Sequence, residues 1–249
     1  MPAGVPERLE VVRDRDAVEA EALGRDAERE QLRGCELLGG CLVTEAQWGE
    51  SRGRRHRLGP MVARSHGGWL ALVPVKALPR GKSRLAEVLD LEARADLVLF
   101  LLRRVVEACL DAGLEVCVVS PDADVHAAAR ALGARVLDDG GRDLSASVAL
   151  ALEQHATAAG VVVLAGDLPH VTADDVLELM AHARPLALVA AADGTTNAIA
   201  ACPPSAFRPS YGPGSAERHG GTRVRLAGIE RDIDTPGDLG LAFPAACRG

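Results

Sequence analysis

The sequence is poor in aromatic residues, which make up only 2% of its 249 positions. A hydrophobic core must therefore be built from Val, Leu and Ala, which a chain that is 48% hydrophobic supplies in number. No apolar stretch reaches the ~20 residues that cross a bilayer, and the N-terminus lacks the apolar segment of a signal peptide. These absences predict a soluble protein that has no membrane partner.

Cysteine pairs and an excess of positive charge are also missing. The six cysteines include no C-x-x-C pair, and Cys109 and Cys117 lie inside apolar runs. Neither a zinc site nor a disulfide framework is indicated, which predicts a cytoplasmic protein. The formal net charge of −7 argues against a nucleic-acid partner, because non-specific binding to nucleic acid requires a basic surface. A small anionic substrate is still compatible, since a local basic pocket can form on an acidic protein.

The chain divides near residue 66. Residues 1–66 are charge-rich and poorly periodic, and they include the basic run 52–57, which could be a nucleic-acid or targeting patch. We interpret this leader instead as a disordered segment or, because Met61 lies just before the ordered pattern, as an over-extended gene start. Residues 67–249 are predicted to form the single folded domain.

In that domain, short apolar runs alternate with longer helical patterns. The predicted strands are 70–75, 115–119, 135–137, 161–165, 186–191 and 197–201, and the predicted helices are 93–112, 125–132, 145–154 and 173–183. This alternation predicts an α/β fold with a single doubly wound, mostly parallel sheet and helices on both faces. Ligands of such folds bind at the carboxyl ends of the strands, so the functional residues are expected there.

A basic loop follows the first predicted strand. Lys76, Lys82 and Arg84 lie within nine residues, in a segment that also holds Pro79 and Gly81. Such a loop can surround a triphosphate, with Lys as a point charge and Arg as a bidentate donor. A solvated basic loop is the alternative, because the segment lacks the glycine pattern of a P-loop.

Three aspartates are candidate ligands for a divalent metal. Asp167 follows four buried apolar residues of the strand 161–165, and Asp232 and Asp234 are two positions apart, so they point the same way in an extended segment. Mg²⁺ takes oxygen ligands of this kind. The alternatives are a turn residue before the helix capped by Thr172, and a cap by Asp234 or Thr235 on a last helix that begins at Pro236.

A glycine-rich segment offers a pocket for a second phosphate. Gly212-Pro213-Gly214-Ser215 opens a short predicted helix, where free backbone N–H groups and a hydroxyl suit an anion. Asp193-Gly194-Thr195-Thr196-Asn197 supplies further hydroxyl and amide groups upstream, and an ordinary loop is the alternative. Together with the basic loop and the acidic residues, this predicts transfer of a nucleotidyl group onto a phosphorylated acceptor, with pyrophosphate leaving.

At these positions the chain resembles the CofC family of guanylyltransferases of deazaflavin coenzyme F-420 biosynthesis. The resemblance covers about 69–241 and rests on five motifs: Val-Pro-Val-Lys76 with Lys82-Ser-Arg-Leu, Gly-Asp167-Leu-Pro, Gly-Thr-Thr196-Asn, Gly212-Pro-Gly-Ser215-x-x-Arg-His219, and Asp232-Ile-Asp234-Thr-Pro-x-Asp-Leu. It implies that residues 67–249 form a nucleotidyltransferase domain with the fold of the nucleotide-diphospho-sugar transferases.

The resemblance also implies substrates and residue roles. GTP would be the donor and phosphoenolpyruvate the acceptor, with 2-phospho-L-lactate as the archaeal alternative, giving enolpyruvyl-diphospho-5′-guanosine and pyrophosphate. By this resemblance, the acceptor would be bound by Thr196, Gly212 and Ser215. Mg²⁺ would be held by Asp167, Asp232 and Asp234, and the GTP phosphates would be bound by Lys76, Lys82 and Arg84. The threonine segment is one residue shorter than the family pattern, so either Thr195 or Thr196 could be the acceptor ligand.

Two other functions are compatible with the same residues. One is a molybdopterin or sugar-phosphate nucleotidyltransferase, although such enzymes carry a glycine-rich loop directly after the first strand, where this chain has one glycine in 76–82. The other is a degenerate protein that binds GTP without turnover, against which the presence of all three aspartates argues. The sequence leaves the oligomeric state open.

Overall fold

A computed structural model of the chain describes residues 68–242. Its strands are β1 (Trp69–Pro74), β2 (Glu115–Val119), β3 (Arg135–Leu137), β4 (Gly160–Leu164), β5 (Leu186–Ala190), β6 (Thr196–Ala201) and β7 (Thr222–Arg223). Its helices are α1 (Leu91–Asp111), α2 (Ala123–Ala131), α3 (Leu144–Gln154), α4 (Ala173–Ala181), α5 (Ser215–His219) and α6 (Pro236–Ala242). The predicted leader, 1–66, lies outside the described residues.

The seven strands form one sheet in the order β3-β2-β1-β4-β6-β5-β7. Strands β1 to β4 pair in parallel, as does β7 with β5, so the predicted single, mostly parallel sheet is confirmed. Strand β6 runs antiparallel to both β4 and β5. A connection as short as 191–195 allows a hairpin, whereas a parallel pair needs a crossover of a dozen or more residues.

The reversed direction of β6 decides which of its residues reach the ligand edge. Leu164 at the end of β4 pairs with Ala198 near the start of β6. Residues just before that pair, Thr196 and Asn197, therefore lie at the carboxyl edge of the parallel strands. The functional residues associated with β1 and β4 follow the ends of these strands. Those of β6 lie at its start, because β6 runs in the opposite direction.

Helices cover both faces of the sheet, as the sequence predicts. Ala71 and Val73 of β1 face a core formed with α1, α2 and α4. Leu70 and Leu72 face the opposite core, which contains Val148 of α3 and residues of α5. The alternation along β1 follows from the two-residue period of a strand, and burial of both faces explains why these strands are apolar throughout.

Helix starts follow the expected capping chemistry. Thr172 accepts a hydrogen bond from the N–H of Asp175, whose side chain accepts from the N–H of Thr172 in return, which confirms the predicted cap of α4. Asp90 caps α1 in the same way through the N–H of Ala93. Within residues 68–242 no helix is both long and apolar enough to cross a bilayer.

Candidate active site

A small apolar cluster holds the basic loop against the acidic segment. Leu85 of the loop is fully buried and packs with Leu97 and Leu101 of α1 and with Ile233, which lies between the two aspartates of the acidic segment. Burial of these four side chains fixes both segments on α1. The polar residues that flank Leu85 and Ile233 therefore lie close together in space. Arg84 and Asp234, for example, are in contact although they are 150 positions apart in the sequence.

Lys82 points into the site from an uncommon backbone conformation. It has φ 50° and ψ 39°, in the left-handed region that side chains other than glycine rarely adopt. Its ammonium group pairs with the carboxylate of Asp167, and only 7% of the Lys82 side chain is exposed. Lys76, two residues after β1, is exposed and makes no ion pair within the described part of the chain.

Asp167 lies where the end of β4 comes close to the end of β1. The residue before it is Gly166, and a Cβ there would lie 2.8 Å from Val75 Cγ2 and 3.4 Å from the carbonyl oxygen of Pro74. The missing side chain lets the two strand ends approach, which brings the Asp167 carboxylate beside the basic loop. Because Thr172 and Asp175 cap α4 without it, Asp167 has no capping role.

In the segment Asp232-Ile233-Asp234 the apolar residue is buried and the two aspartates beside it are partly exposed. The N–H of Ile233 donates to the backbone oxygen of Asp167 at 3.3 Å, which joins the segment to the end of β4. Burial raises the pKa of Asp232, and the nearby Asp167 carboxylate raises it further, against opposing effects that include Lys82 and a hydrogen bond from Asn197. Asp232 and Asp167 thus form a repelling pair of carboxylates.

Asp234 faces a different partner from Asp232. Its carboxylate pairs with Arg84 at 2.5 Å, in a contact where 69% of the Arg84 side chain and 42% of the Asp234 side chain are exposed. The turn before α6 is held by Asp238, whose carboxylate accepts from the backbone N–H groups of Asp234 and Thr235 and from the Thr235 hydroxyl. The capping alternative for the Asp234 carboxylate is therefore wrong.

The acidic residues fit a divalent cation in part. Among residues 68–242 no three acidic, His or Cys side chains converge on a ready-made metal site. Asp167 and Asp232 are close enough to raise the pKa of Asp232, and two carboxylates are what Mg²⁺ takes from a protein when phosphates complete its shell. Asp234 is turned toward Arg84, so its predicted role as a metal ligand stays a prediction.

A second group of polar residues lies on the other face of the sheet edge. Thr196 Oγ1 is 3.0 Å from Ser215 Oγ and 3.0 Å from His219 Nδ1. Thr196 is 7% exposed and Ser215 is fully buried, so these hydroxyls are shielded from bulk water. We call Thr196, Ser215 and His219 the hydroxyl pocket. It contains no carboxylate, in contrast to the site around Asp167.

The loop before α5 is shaped by glycine. Gly212 has φ 114° and Gly214 has φ 70°, conformations that suit glycine because it lacks a Cβ. The prediction that the backbone N–H groups at this helix start are free is wrong for two residues. The N–H of Ser215 donates to the Gly212 carbonyl, and the N–H of Ala216 donates to the Gly194 carbonyl. The N–H groups of Ser215 and Ala216 are therefore committed within the protein, and the hydroxyls of Thr196 and Ser215 are further polar groups at this helix start.

The two adjacent threonines have different partners. Thr195 donates its hydroxyl to Asp193 at 2.6 Å, within the turn that connects β5 and β6. Thr196 is the first residue of β6 and contacts Ser215. Of the two alternatives that the sequence leaves open, the structure brings Thr196 into the hydroxyl pocket.

Strand β6 joins the two polar groups. Thr196 belongs to the hydroxyl pocket, while the side chain of the next residue, Asn197, lowers the pKa of Asp232 and donates its amide N–H to the carbonyl of Ile229 at 2.9 Å. Val189 pairs with Ala198 and Ala190 pairs with Thr196, so Asn197 lies at a β-bulge in β6. This bulge, rather than unbroken alternation, places the side chains of Thr196 and Asn197 on different faces of the sheet. The metal candidates and the hydroxyl pocket therefore adjoin at the start of β6.

Sequence reasoning assigned no role to several residues of this region. His219 completes the hydroxyl pocket, and its ring contacts the rings of Phe207 and Tyr211. The chain has few aromatic residues, and two of them, Phe207 and Tyr211, lie within nine positions of the glycine-rich segment. This clustering was the sequence feature that could have drawn attention to His219. Asn197 had no such signal, because its role depends on the direction of β6.

Comparison with known proteins relates this chain to one family. Residues 69–228 match the model of the family described as "Guanylyl transferase CofC like". A phosphoenolpyruvate guanylyltransferase of Rubrobacter xylanophilus is 42% identical over 187 residues, covering 68% of this chain and 90% of that protein. A phosphoenolpyruvate guanylyltransferase of Geodermatophilus obscurus is 39% identical over 189 residues, covering 69% of this chain and 86% of that protein.

Solved structures share the fold at much lower identity. A protein classed as a nucleotide-diphospho-sugar transferase from Desulfovibrio desulfuricans G20 has a TM-score of 0.57 and 18% identity, covering 74% of this chain and 89% of that one. A nucleotidyl transferase from Methanothermobacter thermautotrophicus has a TM-score of 0.53 and 19% identity, covering 69% and 94%. These similarities confirm the predicted nucleotide-diphospho-sugar transferase-like fold.

Proposed function

Because the chain belongs to the CofC-like guanylyl transferase family, we propose that it transfers GMP from GTP to phosphoenolpyruvate, within coenzyme F-420 biosynthesis. The observation that carries this proposal is the start of β6, where Asn197 contacts the acidic pair and Thr196 contacts the hydroxyl pocket. A donor nucleotide and a phosphorylated acid bound to these two groups would meet at one edge of the sheet.

The donor half consists of cations and carboxylates. An ammonium group has three donors, so Lys82 can keep its contact to Asp167 and still donate to phosphate oxygens. Lys76 and Arg84 add positive charge toward the same triphosphate. Asp167 and Asp232 would hold Mg²⁺ together with those phosphates, and Asp234 would contribute when Arg84 turns to GTP. The cation would neutralise charge on the triphosphate and on departing pyrophosphate.

The acceptor half is neutral and buried. Thr196 and Ser215 present hydroxyl groups, and the positive φ of Gly212 turns the loop around them. Hydroxyl donors suit a phosphate or carboxylate oxygen without adding charge of their own. Phosphoenolpyruvate carries both groups on a small frame, as does the alternative acceptor 2-phospho-L-lactate.

The chemical step needs only positioning and charge neutralisation. A phosphate oxygen of phosphoenolpyruvate attacks the α-phosphorus of GTP and forms a new P–O bond. The bond from the α-phosphorus to the oxygen that bridges the α- and β-phosphates breaks, and pyrophosphate leaves with the electron pair. Lys82 would neutralise the negative charge that develops on the departing pyrophosphate. Direct attack by the acceptor requires no covalent enzyme intermediate.

We also propose a cytoplasmic reaction. Cys109 and Cys117 are buried free thiols, which suits a reducing compartment.

Pyrophosphate release tests the proposed reaction. The purified chain is incubated with Mg²⁺, GTP and, in turn, phosphoenolpyruvate, 2-phospho-L-lactate and a sugar phosphate, and the nucleotide product is identified by its mass. We expect release with phosphoenolpyruvate and a product of the mass of enolpyruvyl-diphospho-5′-guanosine. Release with the sugar phosphate alone would replace the proposed acceptor, and GTP binding without any release would indicate a degenerate binding protein.

A further inference from the structure

His219 is the one member of the hydroxyl pocket that the proposed reaction leaves without a role. Its Nε2 accepts the backbone N–H of Ser210 at 2.9 Å, and its Nδ1 lies 3.0 Å from Thr196 Oγ1. Both ring nitrogens therefore have partners within the protein. The ring is not placed to act as a general base, and its contacts lead to the substrate only through Thr196.

These contacts determine the tautomer of the ring. Burial lowers the pKa of His219 and the Arg218 guanidinium lowers it further, which favours a neutral imidazole. A neutral imidazole has one N–H and one acceptor nitrogen. Because the N–H of Ser210 requires Nε2 as its acceptor, the hydrogen lies on Nδ1 and is donated to Thr196 Oγ1.

The same contact controls the hydrogens of the two hydroxyls. Thr196 Oγ1 accepts from His219, and a single hydrogen lies between Thr196 Oγ1 and Ser215 Oγ. Thr196 and Ser215 carry two hydroxyl hydrogens in all, so one is left for another acceptor. The buried pair of hydroxyls therefore has one hydrogen left to donate to a ligand.

Aromatic packing keeps the ring in this orientation. The His219 ring meets the Tyr211 ring edge-on with centroids 4.9 Å apart and the Phe207 ring edge-on at 5.2 Å. The backbone N–H of Tyr211 is itself bonded to Ser145 Oγ at 2.9 Å, which ties this loop to α3. Edge-on contacts on two sides restrict rotation of the imidazole about its side-chain bonds.

We propose that His219 is a positioning residue of the acceptor site, which donates from Nδ1 to Thr196 and thereby orients the Thr196 and Ser215 hydroxyls toward the phosphorylated acid. This inference rests on the proposed function, since it takes the hydroxyl pocket as the acceptor site. It assigns His219 an effect on acceptor binding and none on GTP.

Two substitutions separate the hydrogen bond from the packing. His219→Phe keeps an aromatic ring but removes the donor, whereas His219→Asn keeps an amide N–H near the position of Nδ1. We expect His219→Phe to raise the Michaelis constant for phosphoenolpyruvate by roughly 3- to 10-fold, the effect of one hydrogen bond. The GTP constant should not change, and His219→Asn should restore part of the loss. His182→Phe, at the exposed end of α4, is the matched control and should behave as the wild type.

A double-mutant cycle tests whether His219 acts through Thr196. Thr196→Val removes the hydroxyl and keeps the shape of the side chain, so His219→Phe should add little to its effect on the acceptor constant. Independent, multiplying effects of the two substitutions would overturn the proposal, as would a change in the GTP constant equal to that in the acceptor constant.

Two further measurements keep the proposal testable: nitrogen NMR of the wild type if a variant does not fold, and calorimetry of the wild type and His219→Phe if turnover is absent. Nitrogen NMR of the wild type should find the hydrogen of His219 on Nδ1, and a hydrogen on Nε2 would overturn the assignment. Calorimetry with phosphoenolpyruvate alone reads acceptor binding directly. If the wild type binds phosphoenolpyruvate but releases no pyrophosphate, the proposed reaction is rejected. If His219→Phe then weakens that binding, the role of His219 is kept.

Discussion

The two halves of the site handle charge in opposite ways. Around Asp167, cations and carboxylates from three segments lie in contact, and the pairs range from the nearly buried Lys82 to the exposed Arg84. Around Thr196, the donors are neutral hydroxyls and an imidazole, all shielded by α5 and by aromatic rings. Both halves meet at adjacent residues of β6, so the difference is not one of location.

This contrast follows from what each half must do in the proposed reaction. A triphosphate with its cation brings several charges, so the donor half needs partners that can exchange contacts without leaving a bare buried charge. Lys82 with Asp167 and Arg84 with Asp234 are such partners, because each ion is neutralised before the substrate arrives. The acceptor half presents fixed neutral hydroxyls, which orient the oxygens of the small acid by hydrogen bonds.

The largest effect is expected when the charge of the acidic pair is removed. Asp167→Asn keeps the shape of the side chain but removes a ligand charge, so turnover should fall by at least about 100-fold at every Mg²⁺ concentration. The melting temperature in the absence of metal should fall, because the nearly buried Lys82 ammonium loses its charged partner, and this loss outweighs the relieved repulsion between Asp167 and Asp232. Turnover and melting are measured across a Mg²⁺ titration.

The control for this prediction is Asp138→Asn, which changes an exposed carboxylate after β3. It should keep wild-type turnover. Wild-type activity of Asp167→Asn at low Mg²⁺ would mean that the acidic pair does not hold the metal.

The two basic residues should differ in proportion to their burial. Lys82→Met removes a charge-assisted contact whose cation is only 7% exposed, and the efficiency with GTP should fall roughly 10- to 100-fold. Arg84→Met breaks an exposed pair, which solvent screens, so a loss of about 5-fold or less is expected. Steady-state kinetics at saturating acceptor compare the two variants, and equal losses would mean that burial does not set their contributions.

Removal of a pocket hydroxyl should have a smaller effect and act on the other substrate. Ser215→Ala leaves no spare N–H of Ser215 or Ala216 to take over, because both already donate to carbonyls. The Michaelis constant for the acceptor should rise by roughly 3- to 10-fold while that for GTP stays the same. Ser205→Ala, in the short turn Pro204–Ala206, is a matched control. A larger change in the GTP constant would assign this pocket to the donor.

The smallest effect is expected for deletion of residues 1–66. The sheet and both halves of the site are formed by residues 68–242, so the shortened chain should keep its turnover and its melting temperature. Activity assays and thermal melts of the two chains make the comparison. A shortened chain that is insoluble, or that melts many degrees lower, would show that the leader contributes to the fold.

Local patterns predicted most of the fold. Three predicted features depend only on neighbours in sequence: the apolar runs of strand length, the Thr172 cap, and the position of Asp167 just beyond a buried strand. The direction of β6 does not, because a strand buried on both faces reads the same in either orientation. The short connection to β5, with Asp193-Gly194 as a hairpin signal, could have predicted the antiparallel pair but was not used for it.

The residues of the site could be predicted from the sequence, but the contacts between them could not. Each candidate residue was chosen for its chemistry, but the pairing of Lys82 with Asp167 depends on the packing of Leu85 and Ile233 against α1. The same limit applies to the N–H of Ser215, which a helix start presents as free until the loop carbonyl that accepts it is known. Such contacts arise from tertiary packing and leave no local trace.

The division of labour between the two halves is tested most directly by one matrix of kinetic constants. The Michaelis constants for GTP and for phosphoenolpyruvate are measured for the wild type, Lys82→Met and Ser215→Ala, each with the other substrate saturating. We predict that Lys82→Met raises the GTP constant alone and that Ser215→Ala raises the phosphoenolpyruvate constant alone. Variants that raise both constants together, or that exchange these effects, would contradict the separation of a charged donor half from a neutral acceptor half.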